Sequence, residues 1–141
     1  MKYHFKVHKE DVGFSAVCVE LLGCRTEGDT EEELEANMAE ALNLHLDEPA
    51  TSKTVFPLPK KIVKGKAVVA VAVEPKIAFA TYLRCLRLNR KLTQQQMAKK
   101  LGFKSIYSYQ RLESSKTANP ELITLVKLKE AFPEFHLDEV V

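Results

Sequence analysis

Amide, guanidinium and ammonium side chains are concentrated between residues 93 and 116. Gln110 and Arg111 are neighbours in a predicted short helix, and such side chains form paired hydrogen bonds with the edges of adenine and guanine. The exposed residues that we expect to read bases are Lys104, Tyr107, Ser108, Gln110 and Arg111, and Ser105 at the helix start is also expected to bind DNA. A second set should contact phosphates and position the duplex: Thr93, Gln94, Lys99 and Lys116.

These side chains need two short helices to hold them. Thr93 and Gln96 match a capping box that opens the first helix, and Gly102 suits the turn that closes it. Ser105 is a plausible N-cap for the next helix, predicted from Ile106 to Glu113 with Tyr109 and Leu112 facing inward. Two helices joined by a glycine turn at this spacing indicate a helix-turn-helix that binds DNA.

Flanking helices complete an all-α part of the chain. The apolar spacing predicts a helix over residues 77–89 before the motif. Asn119 and Pro120 suit the N-cap and the first position of a last helix. Its expected buried stripe consists of Leu122, Leu125, Val126 and Leu128.

The first half of the chain predicts strands followed by one helix. Residues 3–8 alternate apolar and polar, residues 14–19 form a β-prone run that we expect to be covered on both faces, and a short strand follows Gly23. Thr30 and Glu33 match another capping box, which opens a helix over residues 31–47. Residues 67–73 form a continuous β-branched run that predicts a strand buried on both faces. The expected fold class is α+β, a βββαβ unit followed by an all-α unit.

The charges divide along the same line. Residues 1–50 contain 4 basic and 12 acidic side chains (net −8), whereas residues 51–141 contain 17 and 7 (net +10). We therefore expect a domain over residues 1–75, with a surface connection at 51–66, and a DNA-binding domain over 76–141. A basic half suits nucleic acid, and an acidic half suits a basic partner.

Little in the sequence suggests catalysis. The first strand has no carboxylate that could share a metal ion, and no nucleophile-elbow, phosphate-loop or zinc-protease pattern occurs. His4 and His8 lie too far apart on one strand to ligate one metal without help, and we expect both to be solvated. Cys18, Cys24 and Cys85 form no C-x-x-C pair and are expected to be small buried residues. We expect no enzyme activity, metal or cofactor, no membrane span, and a cytoplasmic location.

Two family resemblances rest on particular strings. Residues 92–102 (LTQQQMAKKLG), with Gln110–Glu113 and Asn119–Leu122, resemble the Cro/repressor-like (XRE) helix-turn-helix family over residues 77–141. The interval from Gly102 to Leu112 is one residue longer than in the usual pattern of that family. Residues 11–16 (DVGFSA), 22–24 (LGC), 27–30 (EGDT) and 36–41 resemble HicB antitoxins. That second resemblance implies a degenerate ribonuclease H-like domain before the DNA-binding domain.

The HicB resemblance also implies a function. Such a protein would bind and neutralise HicA, a small basic ribonuclease that cleaves mRNA, and would repress their shared operon. We expect Glu31, Glu32 and Glu35 to bind the toxin, because a protein surface that holds RNA must be basic. A homodimer or a higher even oligomer is expected, since one short recognition helix reads few base pairs. Two alternatives stay open, a regulator whose N-terminal domain senses a small ligand, and an active nuclease.

Overall fold

The computed structural model describes all 141 residues, Met1–Val141, in two compact units. One unit consists of residues 1–46 and 56–74, and the other of residues 47–55 and 75–141. The short segment 47–55 therefore clusters with the helices that follow residue 75. The domain boundary that the sequence predicts, between residues 75 and 76, stays a prediction.

The first unit is a four-stranded antiparallel sheet with one helix. Its elements are β1 (Lys2–Lys9), β2 (Phe14–Cys18), β3 (Arg25–Gly28), α1 (Glu31–Leu46) and β4 (Val68–Ala72), and the strand order is β3-β2-β1-β4. The α+β class and the predicted element order are confirmed.

One face of this sheet forms the core of the unit. Tyr3 and Phe5 of β1 and Ala16 of β2 are fully buried, because alternate residues of a strand point to the same side. The buried stripe of α1 is spaced by four residues and covers that side: Leu34, Met38, Leu42 and Leu46. Most residues of the opposite face are exposed, although His4 on that face is largely buried.

Two strands differ from the sequence prediction for this reason. β2 is covered on one face only, since Val17 is 44% exposed. β4 is an edge strand beside β1: Ala70 and Ala72 are exposed on the open face, and Val69, on the covered face, is 39% exposed at the edge. The prediction that both runs are covered on two faces was wrong, because the long apolar runs here reflect β propensity and not burial between two layers.

The turn before α1 shows how tightly the helix is joined to the sheet. Thr30 Oγ1 accepts a hydrogen bond from Glu33 N (3.1 Å), as predicted. Glu33 Oε2 instead accepts from Asp29 N (3.0 Å), one residue before the expected amide. Gly28 is buried against the start of α1, and a Cβ at this position would lie 2.6 Å from Leu34 N.

His4 is held by a buried carboxylate and is not solvated as the sequence suggested. Its Nδ1 lies 2.6 Å from Glu20 Oε1, and its backbone N–H donates to Glu20 Oε2 (3.0 Å). Burial disfavours the charged form of Glu20, but these hydrogen bonds outweigh it and lower the pKa of the carboxyl. The three cysteines are buried, as expected, and form no disulfide.

The second unit is helical. Its elements are α2 (Pro75–Asn89), α3 (Gln94–Lys100), α4 (Ile106–Gln110), α5 (Leu122–Ala131) and a 3₁₀ turn at Leu137–Glu139. Helix α2 is buried over Ile77–Arg87 and is the centre of the unit. None of the helices is both long enough and apolar enough to cross a membrane.

Helix α5 corrects two details of the sequence prediction. It begins after Glu121, which makes no side-chain cap, so Asn119 is not the N-cap. Leu122 is 77% exposed and Val126 is 44% exposed, whereas Thr124 and Leu128 are buried. The inward face of α5 therefore runs through Thr124 and Leu128, which lie about one helical turn apart.

Replacing Gly28 by Ala should destabilise the protein by about 1–3 kcal/mol, because the added Cβ meets backbone atoms that cannot move without separating β3 from α1. Thermal unfolding followed by circular dichroism measures the change. An Ala36→Ser variant at an exposed position of α1 is the control and should unfold within a degree or two of wild type. An unchanged midpoint for Gly28→Ala would contradict the close approach.

Candidate nucleic-acid interface

Helices α3 and α4 are each started by the residue that the sequence predicted. Thr93 Oγ1 accepts from Gln96 N (3.1 Å), and Gln96 Oε1 accepts from Thr93 N (2.9 Å), which completes the capping box. Ser105 Oγ accepts from Ser108 N (3.2 Å) at the start of α4. Between the helices, Gly102 has a φ of +75°, the left-handed conformation that a glycine adopts at little cost. Helix α4 ends at Gln110, three residues earlier than predicted.

A buried carboxylate joins three of the helices. Glu113 is fully buried just after α4 and accepts two hydrogen bonds from Arg87 of α2, at 2.5 and 3.0 Å. Tyr109 Oη of α4 donates to the same carboxylate. Gln94 Nε2 of α3 donates to Glu113 Oε2 at 3.1 Å. One side chain therefore fixes the relative positions of the helices that form the motif.

The electrostatics of this cluster favour the charged pair. Burial disfavours the charged form of Arg87, but hydrogen bonds to Glu113 outweigh it and raise the pKa of the guanidinium. Burial and the neighbouring carboxylate both raise the pKa of Tyr109, so its hydroxyl stays a donor. Arg84 Nη2 donates to the carbonyl oxygens of Glu48, Pro49 and Glu113 at 3.0–3.3 Å, which attaches the segment 47–55 to the helices. Burial lowers the pKa of Arg84.

Two of the predicted DNA contacts take part in this internal cluster. Gln94 is half-buried, and its Nε2 also donates to the carbonyl oxygen of Ala50 (2.5 Å). Gln110 Nε2 donates to Gln94 Oε1 (3.0 Å), so its amide points towards α3. In the free protein the two glutamine side chains are hydrogen-bonded to each other. Either amide could contact DNA only if it shared its internal hydrogen bonds with the DNA or gave them up.

The remaining predicted residues of this region lie at the surface. Tyr107 is 67% exposed, and Ser108 and Arg111 follow it on the outer side of α4. Lys99, Lys104 and Lys116 are also exposed. Ile106, which the sequence analysis did not select, is 42% exposed beside Tyr107. Helix α4 thus presents a face of mixed apolar, hydroxyl and guanidinium groups.

An open cavity of about 520 Å³ lies beside the start of α3. Its lining includes Lys53, Lys91 and Gln95, together with Thr93 and Ile106. Sequence reasoning missed Lys53, because the segment 47–55 could not be assigned to the helical unit from its composition. It missed Lys91 because the feature that marks this residue is its backbone conformation, which its residue type does not indicate.

Lys91 ends the segment after α2 in a strained conformation. Its φ is +56°, a left-handed value that costs a non-glycine residue about 1–2 kcal/mol. The hydrogen bonds Lys91 N–Leu88 O (2.9 Å) and Leu92 N–Arg87 O (3.1 Å) close this turn. A glycine would relieve the strain, so the lysine side chain is a candidate for a functional role at the cavity.

In the first unit, the acidic side chains predicted to bind a protein partner are free of ion pairs. Glu31, Glu32 and Glu35 are exposed on the first turns of α1. The close contacts between acidic and basic side chains in the structure are His4–Glu20, Arg87–Glu113 and Arg90–Glu134, and none involves α1. The negative charge of this face is therefore not neutralised within its own unit.

Comparison with known families supports the motif. Residues 83–140 match the family model described as Helix-turn-helix, which confirms the motif predicted from the sequence. The match supports a DNA-binding regulator of transcription. No curated protein matches the chain.

Replacing Glu113 by Gln should destabilise the protein by about 3 kcal/mol or more, because Arg87 then lies buried without its counter-charge. Urea unfolding followed by circular dichroism gives the free energy of unfolding. Glu130→Gln, at an exposed position of α5, is the matched control and should change it by less than about 0.5 kcal/mol. Equal effects of the two substitutions would show that the cluster does not hold the helices.

Proposed function

We propose that this protein is a HicB-type antitoxin, which represses its own operon through the helical unit and neutralises a small basic HicA-type ribonuclease through the sheet unit. The observation that carries the proposal is the pairing of a helix-turn-helix with a separate unit that presents an acidic helix face without ion-pair partners. The sheet unit has the βββαβ element order expected from the sequence, with β4 beside and antiparallel to β1, and the ribonuclease H-like relationship implied by the HicB resemblance is part of the proposal.

Base reading is assigned to the exposed face of α4. Arg111 can bind the O6 and N7 atoms of guanine with two parallel hydrogen bonds, and Tyr107 can contact a thymine methyl group. Lys104, Ser105 and Ser108 lie around the start of the same helix. Gln110 acts through Gln94, which it holds at the start of α3. This assignment follows the exposure of the side chains in the structure.

Phosphate contacts are assigned to the residues around the cavity beside α3. Thr93 and Gln94 line this cavity together with Lys91 and Lys53. Lys99 and Lys116 extend the basic surface on either side of the motif. Such contacts position the duplex but do not distinguish sequences. Because α4 has only five residues, two copies of the chain are needed to read a specific operator.

Toxin binding is assigned to the face of α1 that carries Glu31, Glu32 and Glu35. Their charges lie at the N-terminal end of the helix and are held apart from the buried stripe of Leu34 and Met38. A ribonuclease that binds RNA presents basic groups, so this face attracts it and covers the surface that RNA would occupy. Neutralisation then requires no catalytic group on the antitoxin.

Replacing Arg111 by Lys should reduce discrimination between operator and random DNA by about 1–3 kcal/mol, because an ammonium group keeps the charge but cannot form the paired contact. Competition binding with random DNA measures the ratio. The control is Lys127→Arg, which keeps the positive charge at an exposed position of α5. An unchanged ratio for Arg111→Lys would mean that another side chain reads the sequence.

Replacing Lys91 by Gly should raise the free energy of unfolding by about 1 kcal/mol, since glycine adopts a φ of +56° without strain. The same change should weaken binding to operator and random DNA alike and reduce the slope of log K against log salt by about one. Lys91→Arg keeps both the charge and the strain, so it should preserve both properties. Wild-type DNA affinity in a stabilised Lys91→Gly variant would remove Lys91 from the interface.

Reversing the charge at Glu31, Glu32 and Glu35 to Lys should slow association with the basic ribonuclease encoded beside this gene by about tenfold at low salt, because electrostatic steering is lost. Stopped-flow association and an RNA-cleavage assay measure the two consequences. The control is the same reversal at exposed Glu121, Glu130 and Asp138 of the helical unit. Circular dichroism confirms that α1 is intact. Unchanged kinetics in a folded variant would place the toxin elsewhere.

A further inference from the structure

A lysine-rich connection lies on the surface of the sheet unit. Residues 50–73 contain five lysines and no aspartate or glutamate, and four of these lysines fall in the part of the segment that belongs to the sheet unit. All four are exposed, and none forms an ion pair. They are Lys60, Lys61, Lys64 and Lys66.

Hydrogen bonds attach this connection to β1 at both of its ends. Lys60 N donates to Glu20 Oε1 (3.3 Å), the same oxygen that lies 2.6 Å from His4 Nδ1. Further along the chain, Ala67 O accepts from Val7 N (2.9 Å). The span between these points is at most about 25 Å long, so every residue in it lies within about 12 Å of one attachment point. The lysines of the connection are therefore gathered beside β1.

Two more lysines lie on the open face of β1. Alternation along this strand places Lys2 and Lys6 on the face opposite the buried Tyr3 and Phe5, and both lysines are exposed. Lys6 lies between the two attached residues of β1, so it is close to the connection. Together these six exposed side chains form what we call the lysine face: Lys2, Lys6, Lys60, Lys61, Lys64 and Lys66.

Few acidic groups oppose the charge of the lysine face. The carboxylate of Glu20 is hydrogen-bonded to His4. Glu27 lies on the open face but in β3, two strands away from β1, and Glu10 accepts a hydrogen bond from Ser15 Oγ (2.6 Å). The acidic helix α1 packs on the other side of the sheet. The sheet unit is therefore polarised, with acidic groups on its helix side and lysines on its open side.

We propose that the lysine face is a second DNA-binding surface, which holds the phosphate backbone of duplex DNA without reading its sequence. An ammonium group is a compact charge with rotatable donors, which suits contact with phosphates but gives no discrimination between bases. Six such groups without ion pairs repel one another, so a polyanion that releases its counterions is a favourable partner. The inference goes beyond the proposed function, which places all DNA contacts in the helical unit.

The composition of the surface favours a duplex over other anionic partners. Single strands are commonly held by bases that stack on aromatic side chains, and the open face has no phenylalanine, tyrosine or tryptophan. Protein interfaces are depleted of lysine and enriched in aromatic residues and arginine. A duplex held by the helix-turn-helix is also at high local concentration for the rest of the same chain.

Salt-dependent binding of the full chain to a short duplex of random sequence, without toxin, tests the proposal. Lys61→Gln combined with Lys64→Gln should weaken binding about tenfold or more at about 0.1 M salt, because two phosphate contacts are lost. The slope of log K against log salt should fall by about two. Lys61→Arg combined with Lys64→Arg keeps both charges and should bind as wild type does. Fluorescence anisotropy of the labelled duplex measures the affinity.

Two lysines of one strand provide the matched control. Lys6→Gln, on the open face of β1, should reduce the slope by about one. Lys9→Gln, at the exposed end of β1 on the other face, makes the same charge change and should leave the slope unchanged. Circular dichroism checks that each variant is folded. An unchanged slope in the Lys61 and Lys64 double variant, or an equal loss in Lys9→Gln, would overturn the proposal.

Further outcomes separate the lysine face from other partners and from the proposed function. The ratio of operator to random DNA affinity should keep its wild-type value in the Lys61 and Lys64 double variant, and a lower ratio would contradict a contact that ignores sequence. Single-stranded RNA of the same length and vesicles of phosphatidylglycerol and phosphatidylcholine are the comparison probes. If the double variant loses binding to either probe but keeps duplex binding, the proposal is wrong. Each of these failures leaves the assignment of base reading to α4 standing, because that assignment is measured by the ratio in Arg111→Lys.

Discussion

The geometry of the DNA-binding motif depends on the buried ion pair between Arg87 and Glu113. An uncompensated buried charge is costly, so the helices must stay where the carboxylate receives its donors from α2, α3 and α4. Short helices such as α3 and α4 have little stability of their own, and tertiary bonds must supply it. The same cluster fixes Gln94 and, through it, Gln110. The outer face of α4 is therefore presented rigidly, which lowers the entropic cost of binding a duplex.

The sequence predicted the elements whose determinants are local. The caps at Thr93 and Ser105 and the meander of three strands were found from hydrogen-bonding side chains and from period-two alternation. The features that the sequence did not predict depend on contacts between residues that are far apart in the chain. The exposed edge at β4 follows from strand order, and the inward amide of Gln110 follows from a partner sixteen residues away. The left-handed conformation of Lys91 had no signal at all, because lysine is not a residue that marks such a turn.

The division of charge changes when it is counted by structural unit. The sheet unit has 8 basic and 11 acidic side chains (net −3), and the helical unit has 13 and 8 (net +5). The difference from the halves of the sequence arises mainly because the lysines of residues 60–66 belong to the sheet unit. Net charge is therefore a weak guide to partners here. The stronger guide is local, since the acidic side chains of α1 lie together and lack ion pairs. Attraction between such a face and a basic protein acts over about 10 Å at ordinary salt.

Footprinting of the DNA upstream of this gene tests the central claim most directly, namely that the chain is an autoregulatory DNA-binding protein acting in pairs. The full chain should protect two half-sites related by two-fold symmetry, with centres about one helical turn (~34 Å) or a multiple of it apart. Protection should be at least about a thousandfold tighter than on random DNA of the same length. Uniform protection of the upstream fragment and of random DNA at the same concentration would contradict the account.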